Sequence, residues 1–329
     1  MSTLIAPIAL VGAGRMGRGL AVVFAYAGHD VALIDLKQRD AGQFARLAEA
    51  AQSEIAATLG TLARLGFFAA DNAVAIAGRV RLVPEAEAGA VLPAAGFVFE
   101  GVPEVLEQKR AALALTSRLA GPEPIIASTT STIMVDDLSD AMEHRERFLN
   151  AHWLNPPYLM PLVELSAGAG TRPEAVEAMR RLLEGIGKVT VLCAARPGFI
   201  VPRIQAVAMN EAARMVEEGV ASAEEIDKAV KYGFGLRFAV LGLLEFVDWG
   251  GGDILYYASR YLTKARDNER YAAPEIVERN MREGNIGMKT GRGFLDYSKI
   301  DLESHRLERL AAFAELLRGL GLVRPPVLR

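Results

Sequence analysis

Cysteine is nearly absent from this chain: Cys193 stands alone among 329 residues, which excludes an internal disulfide and a thiolate metal cluster. Histidine is almost as sparse, and His29, His144, His152 and His305 are scattered without metal-ligand spacing, so no bound metal is expected. Neither sign of charge prevails, the formal net charge being −3, and the basic stripe of a nucleic-acid binder is missing. No apolar run approaches the ~20 residues that a membrane-crossing helix needs. Residues 1–7 carry no charged leader region and run straight into a strand pattern, unlike a secretion signal. The expectation is a soluble, cytoplasmic protein with no nucleic-acid or membrane partner.

What is present is an ordinary globular composition, 51% hydrophobic and 23% charged, which also excludes disorder as the dominant state. The length suits about two domains. Short β-rich runs at 8–11, 30–35, 97–100, 125–128, 148–152, 162–165 and 189–192 alternate with Ala-, Leu-, Glu- and Arg-rich stretches such as 17–27 and 105–119. That alternation predicts a mostly parallel sheet covered on both faces. After Cys193 the turn signal Arg196-Pro197-Gly198 opens a second half of almost purely helical pattern. Helices are predicted there at 203–218, 252–263, 274–283 and 302–320. Another is expected to open on the capping box Ser222-Ala223-Glu224-Glu225 and to end at Gly233. Asp248-Trp249-Gly250-Gly251-Gly252-Asp253 reads as a break between helices with Trp249 in the core, and the Arg324-Pro325-Pro326 end as extended chain. The predicted organisation is an α/β domain at 1–194 and a helical domain at 195–329.

The first strand runs into Gly12-Ala13-Gly14-Arg15-Met16-Gly17, a GxGxxG turn between strand and helix. Gly12 permits the tight turn, Gly14 lets a pyrophosphate approach the backbone, and Gly17 lets helix and strand pack closely. The free N–H groups of the helix start then face the phosphates. The second strand ends on Asp35, placed to hold a ribose 2′-hydroxyl and to repel a 2′-phosphate, which favours NAD over NADP despite the nearby Lys37. The fold class is therefore α/β, a doubly wound Rossmann-type sheet followed by an all-α C-terminal domain. Two further segments carry chemistry: Ser128-Thr129-Thr130-Ser131 after an apolar strand, and His152-Trp153-Leu154-Asn155-Pro156-Pro157 followed by Leu162-Val163-Glu164. A histidine at a strand end lies where open α/β sheets bind ligands, and a nearby glutamate can fix its tautomer. From spacing alone a lone histidine is more often structural than catalytic.

With these segments in view, the chain resembles the L-3-hydroxyacyl-CoA dehydrogenase family over roughly residues 5–297. The ordered matches are the glycine turn, Phe99-Glu100-Gly101-Val102-Pro103-Glu104 with Lys109, the Ser128 to Ser131 run and His152-Trp153-Leu154-Asn155-Pro156. Pro197-Gly198-Phe199-Ile200-Val201 and Lys289-Thr290-Gly291-Arg292-Gly293-Phe294 complete them. The resemblance implies NAD-dependent oxidation of a β-hydroxyl to a ketone on a short 3-hydroxyacyl substrate. It makes His152 the general base, Glu164 its orienting partner, Ser131 a hydrogen-bond partner of the reacting oxygen and Asn155 a positioner of nicotinamide and substrate. Glu104, Lys109 and Lys289 would line the cofactor cleft, along with Gly12, Gly14, Met16, Gly17 and Asp35. As bare sequence, Glu104 and Lys109 read equally as solvated helix charges, and Lys289 as a turn cap. The resemblance also implies a homodimer through the C-terminal domain, in keeping with the apolar helices around 206–216.

Three departures concern the substrate. Where the acyl-CoA enzymes carry an asparagine after Gly-Phe-Ile-Val, this chain has Pro202, which offers neither the amide nor a backbone donor. The arm at 44–78, lysine-rich in the family, has Arg46 and Arg64 as its only cations, a poor match to the phosphates of CoA. The turn Gly233-Phe234-Gly235-Leu236-Arg237-Phe238-Ala239 looks instead like relatives that act on free acids, such as gulonate and carnitine dehydrogenases, with Arg237 able to grip a carboxylate. A 3-hydroxyisobutyrate- or phosphogluconate-type dehydrogenase would need a catalytic lysine in a helical glycine motif, which is not found. A non-catalytic NADH-binding structural role, as in lambda-crystallin, requires His152 or Glu164 to be displaced.

Overall fold

The computed structural model describes residues 6–327. The chain divides into two compact units, Met1–Ala208 and Met209–Arg329. In the first, β1 (Ile8–Val11), α1 (Arg15–Tyr26), β2 (Val31–Asp35), α2 (Ala41–Arg64), α3 (Ala73–Ala77), β3 (Val80–Pro84), α4 (Ala88–Val91) and β4 (Phe97–Glu100) follow in order. Next come α5 (Leu106–Ala120), β5 (Ile125–Ser128), α6 (Val135–Ser139), β6 (Phe148–Trp153), β7 (Leu162–Ala167), α7 (Pro173–Gly185) and β8 (Val189–Cys193), and then α8 (Val201–Glu217), which begins in the first unit and ends in the second.

The strands form one eight-stranded sheet in the order β3-β2-β1-β4-β5-β6-β7-β8. Every neighbouring pair is parallel except β6 and β7, which run antiparallel. Alternate residues of the central strands feed two separate cores. Leu10, Leu33 and Phe99 pack on one face, and Val11, Ile34 and Val98 on the other. Burial on both faces is why these strands read as unbroken apolar runs. Strand order reverses between β1 and β4, so their carboxyl ends open a crevice at the position where doubly wound sheets bind ligands.

Sequence reading passes over β3, and the reason is visible. It is an edge strand that carries an exposed Arg81 and ends on Pro84, so it lacks the apolar signature of its neighbours.

The second unit holds α9 (Ala223–Ala229), α10 (Leu236–Phe238), α11 (Leu243–Gly250), α12 (Gly252–Arg266), α13 (Glu275–Glu283) and α14 (Leu302–Gly319). Two expectations need correction here. The helix that opens at Ser222 does not end at Gly233. It continues through a π-helical segment, Val230–Gly235, into α10, because the wider turn keeps the backbone bonded across both glycines. Its cap is also one-sided: Ser222 accepts from the Glu225 amide, but the Glu225 carboxylate turns to Lys228. The second correction concerns residues 248–253. Asp248, Trp249 and Gly250 belong to α11, and the break falls on Gly251, whose φ of +111° only glycine adopts freely. The buried residue there is Asp248, not the half-exposed Trp249. Asp248 accepts bonds from the amides of Phe294 and Leu295 and from the Tyr297 hydroxyl.

Candidate active site

The glycine turn has the geometry its spacing demands. Gly12 has φ +107°, and a Cβ there would stand 3.0 Å from the carbonyl of Gly101, at the end of the adjacent strand. A Cβ on Gly17 would come within 2.0 Å of the Gly12 oxygen, so no other residue fits. Gly14 differs: a Cβ there would meet no atom within 4 Å and would project into open space. The first turn of α1 has neither a side-chain cap nor an acidic residue, which leaves its N–H groups to an anion. Gly12, Gly14, Arg15, Asp35, Lys37 and Arg39 contribute to the walls of a cleft of about 820 Å³. Open backbone at Gly14, bare helix N–H groups and a carboxylate at the end of β2 together fit a dinucleotide. Met16 packs against the core beneath the turn. Asp35 is paired with Arg39 at 2.5 Å, a partner sequence reading missed because the segment between them carries no helical signal.

Beside this cleft lies a buried charge network. Lys109, only 1% exposed, donates to both oxygens of Glu100 at 3.0 and 3.2 Å and stands 3.5 Å from Glu104. Glu100 also accepts from Ser128 Oγ and from the Val102 amide. Glu104 gathers the loop after β5, accepting from Thr130 Oγ1, the amides of Ser131 and Thr132, and Thr132 Oγ1. Burial pushes the Glu104 carboxyl up, but the Thr130 bond, the Lys109 charge and the two amides outweigh it and hold the group below its ordinary range. Lys109 is therefore no solvated helix charge, whereas Glu104 is exposed, lies before α5 and is engaged by Lys109 and the loop. Lys109 does not itself form the cleft wall; it fixes Glu104, which fixes the Ser131 loop. Glu100, the centre of the network, went unassigned in the sequence because a glutamate ending an apolar strand gives no pairing signal.

Two strands further along, His152 and Glu164 face each other as direct cross-strand partners of β6 and β7. His152 Nδ1 lies 2.7 Å from Glu164 Oε2. The other carboxylate oxygen accepts from the amides of Ile200 and Val201, both at 2.9 Å. Glu164 is fully buried and His152 is 5% exposed. Burial raises the Glu164 carboxyl, yet the His152 bond, the two amides and the imidazole charge together leave it below its usual value. A carboxylate can only accept, so Nδ1 carries the hydrogen and Nε2 is left as the basic nitrogen. The ring stacks on Phe199 with centroids 5.3 Å apart, a residue whose φ of +45° belongs to the turn before α8. Asn155 is exposed on the loop after β6. It borders a second cavity of about 410 Å³ with Arg15, Arg18 and Tyr158.

A nucleotide cleft and a buried His–Glu pair on one Rossmann-type sheet narrow the comparison with known proteins. The model of the 3-hydroxyacyl-CoA dehydrogenase NAD-binding domain matches residues 7–196, and that of the family's C-terminal domain matches residues 198–297. The chain belongs to the 3-hydroxyacyl-CoA dehydrogenase family. It is an NAD-binding oxidoreductase of that family. It is 31% identical to 5-formyl-3-hydroxy-2-methylpyridine 4-carboxylate 5-dehydrogenase of Mesorhizobium japonicum, over 96% of this chain and 99% of that one. It is 33% identical to 3-hydroxybutyryl-CoA dehydrogenase of Bradyrhizobium diazoefficiens, over 90% and 97%. The crystal structure of a 3-hydroxyacyl-CoA dehydrogenase from Archaeoglobus fulgidus superposes with a TM-score of 0.75 at 31% identity, covering 97% of this chain and all of that one.

Within this dehydrogenase, Lys289 and Arg237 belong to the second unit. Lys289 pairs with Asp253 at 3.1 Å, at the start of α12, and its loop is the one tied down by Asp248. Arg237, in α10 directly after the π-helical segment, is exposed and lays its guanidinium 4.5 Å over the Phe246 ring. No helix among the described residues is long and apolar enough to cross a membrane.

Proposed function

We propose that the protein oxidises the β-hydroxyl of a short 3-hydroxyacyl substrate to the 3-keto product, with His152 as general base. The observation that carries this reading is the full commitment of Glu164: one oxygen orients His152 and the other is held by two backbone amides. Such a carboxylate cannot wander and stays charged, so it presents Nε2 as the basic nitrogen and stabilises the imidazolium once the proton arrives. Ser131 donates to the reacting oxygen, and Asn155 positions the substrate. Bound NAD supplies the hydride acceptor. Gly12, Gly14, Met16, Gly17 and Asp35 hold it, with Glu104, Lys109 acting through Glu104, and Lys289 assigned to the same cofactor cleft. Residues 1–194 serve the nucleotide, and residues 195–329 serve the substrate and pairing of two copies.

A second reading, the same chemistry on a free hydroxy acid, is favoured by two observations. Residues 44–78 carry just two cations for CoA phosphates. Arg237 is braced by an aromatic ring with its guanidinium exposed. The test is NAD reduction with 3-hydroxybutyryl-CoA, free 3-hydroxybutyrate, gulonate and carnitine, in the wild type and in His152→Ala and Arg237→Ala. His152→Ala is expected to keep NADH binding and lose roughly 10²–10⁴ in turnover. Unchanged turnover in that variant removes the mechanism. Arg237→Ala raises KM for the free acids alone if the second reading is right, and leaves the KM for 3-hydroxybutyryl-CoA unchanged.

A further inference from the structure

The link between the two halves of the His152–Glu164 pair is the chain at 154–161, which leaves β6 after Trp153, carries Asn155 and returns to β7. A lysine outside that link grips it. Lys188, half-buried between α7 and β8, donates from Nζ to the Pro157 carbonyl at 2.6 Å and to the Met160 carbonyl at 2.8 Å. The same ammonium stands 5.6 Å over the ring of Trp153, the neighbour of His152. Its charge is met by two carbonyl dipoles and an indole face rather than by a carboxylate, and burial lowers its pKa. The next residue joins in: the Val189 amide donates to the Pro161 carbonyl at 2.9 Å. From the opposite side the link is seated on α1, where a Cβ on Gly19 would fall 2.7 Å from the Pro157 ring.

We propose that Lys188 is a positioning residue for the reaction, a cationic clamp that fixes the Asn155 loop against the strand bearing His152. The inference rests on the reading of His152 and Asn155 given above. The strand pair itself is held by its ladder, and Glu164 by the Ile200 and Val201 amides, so neither depends on Lys188. The loop does. Without the ammonium, the Pro157 and Met160 carbonyls lose a charge-assisted partner, and Asn155 is free to shift relative to Nε2. Misplacement by about 1 Å costs on the order of 10²-fold in rate.

The experiment compares Lys188→Met and Lys188→Arg in the full-length protein. Readouts are NADH affinity by fluorescence titration, kcat and KM for NAD and for whichever hydroxy substrate the wild type oxidises, and hydrogen–deuterium exchange of the 154–161 peptide. Lys188→Met should bind NADH as the wild type does and lose about 10- to 100-fold in kcat. Its 154–161 amides should exchange faster while those of β6 do not change. Lys188→Arg, which keeps the charge and the donors, should recover most of the lost kcat. Wild-type kcat with wild-type exchange in Lys188→Met overturns the proposal, and so does an Arg variant as impaired as the Met variant. Should Lys188→Met fail to fold, Lys188→Gln carries the same comparison. The exchange readout needs no substrate, so a failed clamp is told apart from a failed reading, which would appear as a wild-type enzyme inactive on every substrate.

Discussion

A single buried carboxylate decides how the candidate site behaves with pH. Glu164 has its pKa depressed in the folded protein, because the bond from His152 and the amides of Ile200 and Val201 overcome the effect of burial. A group whose folded pKa lies below its unfolded value favours folding above the unfolded value, and that contribution fades as pH falls through the folded one. Glu164→Gln should therefore destabilise the protein by about 1.5–3 kcal/mol near neutral pH, the size of a hydrogen bond to a charged group. The gap to the wild type should narrow on acidification below the ordinary carboxylate range. Urea midpoints of both proteins at neutral and acid pH measure this; a gap that widens on acidification would contradict the assigned charge state. His152 and Glu164 stood out in the sequence as motif and resemblance, but their contact did not, because a spacing of twelve along the chain says nothing about cross-strand register. Lys188 was illegible for the same kind of reason: it acts through the carbonyls of Pro157 and Met160, which only the folded chain brings near.

At the scale of elements, an irregular loop organises part of the second unit. The stretch from Gly287 to Tyr297 has almost no regular structure, yet it wraps the buried Asp248 at the end of α11. Gly287 and Gly293 are required there, since a Cβ on either would lie within 2.3 Å of Asp248 atoms. Asp248→Ala leaves two amides and a hydroxyl without their acceptor and should destabilise the second unit by roughly 2–4 kcal/mol, given ~1–3 kcal/mol for each polar group left unsatisfied and partial access of water. Differential scanning calorimetry would register this as a lowered transition, and an unshifted one would refute the role. The GRGF run was visible in the sequence, while its anchor was read as part of a break. Glycine-rich sequence marks where the backbone turns but not which carboxylate it turns around.

For the whole molecule, the prominent unexplained surface is α8. None of its residues is buried, although Val207 and Met209 are 69% and 64% exposed and Ile204 and Val216 lie among the exposed apolar residues. An apolar helix left in water is unfavourable at about 25 cal/mol per Å² of apolar area, which a second copy would relieve. The expected state is a homodimer. Light scattering should give twice the chain mass at micromolar concentration, and Val207→Glu with Met209→Glu should shift it toward the monomer; a monomeric wild type would refute the pairing.

The sequence by itself determined the class of the fold, the glycine turn and the family, since apolar periodicity and the demands of glycine act locally and leave their mark residue by residue. What the tertiary structure decided was partnership: the Glu164 oxygen on His152, Lys109 buried under Glu104, and the two carbonyls gathered by Lys188. Hydrogen bonds and ion pairs act over a few ångströms of space whatever the separation along the chain, so they come into being only when strands and loops have been set side by side.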